Sequence, residues 1–329
     1  MSLAQYCRLG KSENTYQKGE IFMKHKRFSL VVGAVVIAAI TLFTASSTAR
    51  THATTAPAQS TNDRIMDLMS AVNVQLAASN SNIRVDRAEY ITPDDSEEVG
   101  QTVFFNDRTK QLGAHFVPGD PRRGGRTNIT YIVDQTEGAR GLTIAQTTSA
   151  IDRAMATWNN VNCSTIPITK LPDIPGLDIG IIEAILFGQP LGPFFLADIT
   201  HAGWLPPNAL PPNIIAITFT FIFVDPLSGA PSDIDNNGKI DAAFREILYN
   251  GRFRWNINAD VDVQTVALHE SGHGLSQGHF GKAFLTNSND KLHFAPRAVM
   301  NAAYSGVQQS LAGTDNGGHC SIWASWPNN

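Results

Sequence analysis

The chain has 329 residues, 43% apolar and 16% charged, enough for one large domain or two modest ones with real cores. The formal net charge is −4, and no basic block occurs beyond the N-terminus. This excludes a nucleic-acid partner, which would require a clustered basic face.

Residues 24–27 (KHKR) are basic, residues 28–45 are mostly apolar, and small residues follow, with Ala49 and Ala53 as candidate cleavage positions. Residues 1–53 therefore read as a signal-peptide region, with Met23 as a candidate true start. The alternative is an uncleaved membrane anchor, since the apolar run is near the lower length limit for a bilayer span. The expected location is secreted, or anchored facing outside if the segment is retained. Export implies an oxidising compartment. Cys7 leaves with the signal, so Cys163 and Cys320 remain as an even pair and are expected to form a disulfide. Two separate buried thiols are the alternative.

Residues 54–125 form an N-terminal segment. After a flexible stretch at 54–62, residues 63–79 carry Ile65, Leu68, Met69, Val72 and Leu76 at helical spacing. IRVDRAEYI and TVFFN are short strand candidates on either side of the acidic turn PDDSEE. HFVPGDPRRGGR (115–126) reads as an exposed linker and a boundary. The segment before it is a candidate propeptide with Arg122, Arg123 and Arg126 as processing sites; an ordinary surface loop is the alternative.

In residues 126–329, NITYIV (128–133) alternates as a strand does. Thr143 caps a helix running to about Asn160, with Ile144, Thr148, Ile151, Met155 and Trp158 on one stripe. IPITKL (166–171), LDIGIIEAILF (177–187) and FFLADITHAGWLPP (194–207) are strand candidates. IIAITFTFIFVD (214–225) places Phe219, Phe221 and Phe223 on one face and Thr218, Thr220 and Ile222 on the other. The expected fold class is α+β: one mixed sheet, a long helix and a metal-binding helix.

SDIDNNGKID (232–241) resembles a calcium loop. Asp233, Asp235, Asn237 and Asp241 alternate oxygen ligands around Gly238, and Lys239 offers its carbonyl. Phe244 stands where a bidentate Glu is usual, with Glu246 two residues beyond as a substitute. An ion-free acidic turn is the alternative.

HESGHGLSQGH (269–279) carries the sharpest chemistry. His269 and His273 are four residues apart, so on a helix capped by Asp262 they share a face, next to the buried stripe of Val263, Val266 and Ala267. Glu270 follows the first histidine, where a carboxylate reaches a metal-activated water without being a ligand. The glycines at 272, 274 and 278 let the chain turn back so that His279 completes a three-histidine zinc site with an open fourth position. An amphipathic helix with surface histidines is the alternative; a third histidine across glycines speaks against it. His201, His293 and His319 read as ordinary histidines without a metal role.

HESGHGLSQGH followed by AVMNAAY around Met300 resembles the metzincin zinc endopeptidases, most of all bacterial matrixin-like members. The order of elements in residues 126–329 is similar to that family's catalytic domain. The resemblance implies zinc on His269, His273 and His279, Glu270 as general base, and Met300 as an apolar floor beneath the metal. It implies a protein or peptide substrate lying along an edge strand supplied by FFLADITHAG. Ser276 departs from the family's glycine and would strain a left-handed bend. No cysteine lies between the signal and Cys163, so any latency works without a thiolate on the zinc. Tyr304 is not assigned to the metal. The expected protein is a monomeric secreted zinc endopeptidase, with calcium as a second cation. The competing reading is an exported, non-catalytic metal-binding or adhesion protein, and a membrane contact is expected only if the signal is uncleaved.

Overall fold

A computed structural model describes residues 59–106, 113–188, 196–286, 288–289 and 291–328. The export segment, Met23 and Cys7 lie outside the described residues. Among the described residues, no helix is long and apolar enough to cross a membrane.

Helix α1 (Thr61–Ala78) starts where the Ser60 hydroxyl accepts from the Asp63 amide, and it buries Ile65, Met69, Val72 and Leu76 at three- and four-residue intervals. Strands β1 (Ile83–Pro93), β2 (Thr102–Phe104) and β3 (Ala114–His115) follow, then a 3-10 turn at Pro121–Arg123 and β4 (Ile129–Val133). Helix α2 (Ile144–Asn159) opens with a reciprocal capping box between Thr143 and Gln146. Next come β5 (Ile168–Lys170), α3 (Ile181–Leu186), β6 (Ile199–Leu205), β7 (Ala216–Phe223), β8 (Ile240–Asn250), β9 (Trp255–Asn256) and β10 (Val261–Asp262). Helix α4 (Val263–Gly274), the hairpin β11 (Lys282–Leu285) and β12 (Leu292–Ala295), β13 (Ala303–Tyr304) and α5 (Gly313–Trp323) complete the chain.

The main sheet has the order β13–β1–β7–β8–β6–β4–β5, with β2 on β1 and β3 on β8. Its β8–β6–β4–β5 side is parallel, while β7 runs antiparallel to both β8 and β1. The fold is therefore mixed α+β. The period-2 pattern of β7 sets two layers: Phe219, Phe221 and Phe223 pack with Ile65, Met69 and Ile182 from α1 and α3. On the other face Ile222 and Ile247 join a core that includes Trp158 of α2 and Val266 of α4. Cys163, just past α2, is disulfide-bonded to Cys320 of α5, with Cα atoms 5.7 Å apart.

The structure departs from the sequence reading in five places. Residues 181–186, expected within a strand, form α3, because Glu246 of β8 accepts from the Ile181 and Ile182 amides and so caps a helical turn. Strand β8 was not anticipated, because Asp241, Arg245 and Glu246 interrupt its apolar pattern; all three are buried and bonded. The stretch after His279, for which the sequence offered no element, contains the β11–β12 hairpin. Strand β6, expected to be the substrate edge, lies between β4 and β8, and Ile199, Thr200 and His201 pair on both sides. Residues 115–126 are not an exposed linker. Arg123 is 2% exposed and donates from Nε to Asp198 Oδ1 at 2.8 Å, beneath the Phe116 ring. Arg126 also pairs with Asp198, and Arg122 pairs with Asp120 and Asp241, so these arginines tie segments together. Strand β1 is interior to the sheet, so residues 59–106 share one sheet with those beyond 126.

Candidate metal centre

Helix α4 is buried on all sides, so its side chains meet fixed partners. Asp262 caps its first turn by accepting from the Thr265 amide at 2.9 Å, and the Tyr304 hydroxyl in turn accepts from the Asp262 amide at 3.0 Å. Trp158 of α2 donates its indole N–H to the Leu268 carbonyl at 2.8 Å. At the other end Arg245 of β8 donates to the Gly274 carbonyl at 3.0 Å and to the Ser276 hydroxyl at 2.8 Å. A cation at a helix C-terminus suits the helix dipole.

The chain then turns back through Ser276, whose φ of +68° lies in the left-handed region. The strain expected for a serine there is present. Its hydroxyl offsets it by donating to the Ala114 carbonyl at 3.0 Å while accepting from Arg245.

This turn brings His279 against the helix. His273 Nε2 lies 3.1 Å from His269 Nε2 and 3.2 Å from His279 Nε2. His269 Nδ1 donates to the Val299 carbonyl and His273 Nδ1 to the Gln277 carbonyl, both at 2.7 Å. A carbonyl only accepts, so both hydrogens sit on Nδ1 and both Nε2 lone pairs point inward. Lone pairs this close repel unless a cation lies between them. Tetrahedral zinc at ~2.0–2.1 Å from each nitrogen would separate the nitrogens by about 3.3 Å, so the donor set fits zinc. Burial holds His269 and His279 well below the ordinary imidazole range and His273 at about 4, which keeps all three in the neutral, ligating form.

Glu270 is 0% exposed. Its Oε2 accepts from the Thr218 hydroxyl of β7 at 2.6 Å, while Oε1 is buried without a partner. Burial pushes its carboxyl well above the ordinary value, Thr218 opposes this, and the nearby Glu89 adds to it. Met300 lies under the helix: a Cβ built on Gly272 would stand 2.2 Å from its sulfur. Asp315 of α5 accepts from the Val299 amide at 2.9 Å and the Met300 amide at 3.1 Å, clamping the turn.

Arg245, Asp315 and Glu89 carry no motif and do not stand out in the sequence, and Thr218 is readable there only as part of one face of a strand. An acidic residue in the first turn of α5 was the one local signal, for Asp315. Glu89 Oε1 lies 3.5 Å from His273 Nδ1, but that hydrogen is directed at the Gln277 carbonyl, so Glu89 is a neighbour of the site and not an ion-pair partner of His273. His201 sits in β6 with Nδ1 2.8 Å from the Tyr249 hydroxyl, and His319 stacks on Trp158; neither belongs to the triad. His293 lies on β12 beside Asn289.

Carboxylate oxygens of Asp233, Asp235 and Asp241 lie within 4.8 Å of one another. Asn237 turns inward, its amide meeting Asp233 Oδ1 at 3.0 Å and its side-chain oxygen accepting from Lys239 at 2.9 Å. Asp241 Oδ2 holds Arg122 and Ser232, both at 2.6 Å, while its buried Oδ1 has no partner. Glu246 is occupied by α3 and does not reach this loop. No family model matches the chain, and no curated protein matches it closely enough to count as a relative.

Proposed function

We propose that the chain is a secreted, metzincin-like zinc endopeptidase. The observation that carries this reading is the convergence of three imidazoles, two with Nδ1–H fixed on carbonyls, beside a buried carboxylate with one unpartnered oxygen. His269, His273 and His279 would hold zinc through Nε2. Zinc, when bound there, acts as a Lewis acid that polarises a peptide carbonyl and acidifies water. Glu270 is held by Thr218 at Oε2, so Oε1 is the atom that takes a proton from the attacking water and returns it to the leaving amine. The Cys163–Cys320 disulfide agrees with an oxidising compartment. The loop at 233–241 is the expected calcium site, with the free Asp241 Oδ1 as an available donor.

The complete burial of Glu270 favours one rival, an exported metal-binding protein that performs no chemistry. Cleavage of casein and of a peptide library separates the two. The zinc-loaded wild type should cleave, and chelator should abolish it. Glu270→Ala should retain zinc and lose about 10²–10⁴-fold in rate. Zinc-loaded wild type that cleaves no member of a broad library would leave the binding-protein reading.

A further inference from the structure

We propose that the Cys163–Cys320 disulfide is a thiol-exchange site that controls the metal centre through α5. This rests on the zinc centre of the peptidase reading and adds a reaction at a second place on the molecule. Cys163 is exposed and Cys320 is half-buried. Both line a surface groove of about 460 Å³, within the range of about 300–1,000 Å³ in which small ligands bind. Asn160, Asn162, Gln309 and Asn316 line it with them, and no charged residue does. Neutral amides of this kind can bond the backbone of a small peptide thiol.

Helix α5 depends on ties from outside itself. Gly313, Gly317 and Gly318 are three of its eleven residues, and glycine is the poorest helix former after proline. Only Asp315, His319 and Trp323 are buried, so little apolar surface holds the helix down. A helix this short is marginal without such packing. Trp323 donates its indole N–H to the Leu275 carbonyl at 2.9 Å, and the disulfide joins Cys320 to the chain just past α2. The disulfide is the covalent tie among these.

In turn, α5 holds the groups that orient two of the three histidines. Asp315 accepts from the Val299 amide at 2.9 Å, and the carbonyl of the same Val299 accepts from His269 Nδ1 at 2.7 Å. Gly318 lies against Gln277: a Cβ there would stand 2.5 Å from Gln277 Oε1. The Gln277 carbonyl accepts from His273 Nδ1 at 2.7 Å. One residue therefore separates α5 from each of these rings. Weakening such partners typically lowers metal affinity about 10–100-fold. In the exchange, a thiolate attacks Sγ of the exposed Cys163, the S–S bond breaks, and Cys320 leaves as a thiolate that takes a proton from water. A second thiol then resolves the mixed disulfide. Two small thiols are oxidised to one disulfide, and the protein gains two cysteine thiols. Helix α5 loses its covalent tie, and its hold on Val299 and Gln277 loosens.

The test uses the full chain, zinc-loaded, with reduced glutathione as the probe thiol. New cysteine thiols are counted, glutathione is removed, and transfer of zinc to a coloured chelator is timed. Hydrogen exchange of the Val299 and Met300 amides is followed alongside, and circular dichroism reports whether the fold persists. The switch predicts a gain of two thiols, zinc release about tenfold or more faster than from the oxidised chain, faster exchange of both amides, and recovery on reoxidation. Cys163→Ser with Cys320→Ser should release zinc at the rate of the reduced wild type and ignore glutathione. A bond that glutathione leaves intact, equal zinc release by both forms, or zinc loss only together with global unfolding would overturn the switch. Wild type that takes up no zinc at all would instead overturn the peptidase reading, and the switch with it.

Discussion

Ser276 shows how a single residue can violate a local rule and be held in place from elsewhere. Its left-handed backbone would favour glycine, yet its hydroxyl satisfies Arg245 and the Ala114 carbonyl. Ser276→Ala keeps the strain and strips a buried guanidinium of a partner, so it should destabilise by about 1–3 kcal/mol. Ser276→Gly relieves the strain while losing the same bonds, and should be the milder of the two by about 1 kcal/mol. Urea unfolding of both variants checks the order; a glycine variant less stable than the alanine variant would contradict it. Gly272→Ala should also be destabilising, by about 1–3 kcal/mol, because its methyl would displace the buried Met300 sulfur. The need for a special bend at residue 276 was legible in the sequence. The compensation was not, because Arg245 and Ala114 are distant in the chain and carry no motif.

At the level of elements, legibility followed local signals. Helices α2 and α4 were readable because Thr143 and Asp262 cap them and their apolar residues recur at helical spacing. Strand β8 and helix α3 were not, for one shared reason: Glu246, an acid inside a central strand, is what caps α3. Burial raises the Glu246 carboxyl to about 7 and the Glu183 carboxyl of α3 to about 8, from an ordinary 4.5. A raised carboxyl means that the folded state holds protons the unfolded chain has released. The stability linked to these groups is full below about pH 4.5 and is lost as pH rises through 7 to 8. The melting temperature should therefore fall between pH 5 and pH 8.5, and Glu246→Gln should make that fall shallower. An unchanged slope in the variant by scanning calorimetry would contradict the assignment.

For the whole molecule, the disulfide spans 157 residues and joins the end of α2 to α5, which in turn clamps the Met300 turn through Asp315. Cys163→Ser with Cys320→Ser should cost about 2–5 kcal/mol in chemical denaturation. Added calcium should raise the melting temperature of wild type, and the rise should be absent in Asp235→Ala. The pairing of Cys163 with Cys320 was legible by counting cysteines once export was assumed. The placement of residues 59–106 inside the main sheet was not, because strand pairing between β1 and β7 spans more than a hundred residues and depends on register, which composition does not encode. The central claim is that three histidines hold zinc. Metal analysis of the purified full chain tests it most directly: about one zinc per chain in wild type and in Glu270→Gln, and none in His273→Ala. Wild type without zinc, or zinc unchanged in His273→Ala, would contradict the account.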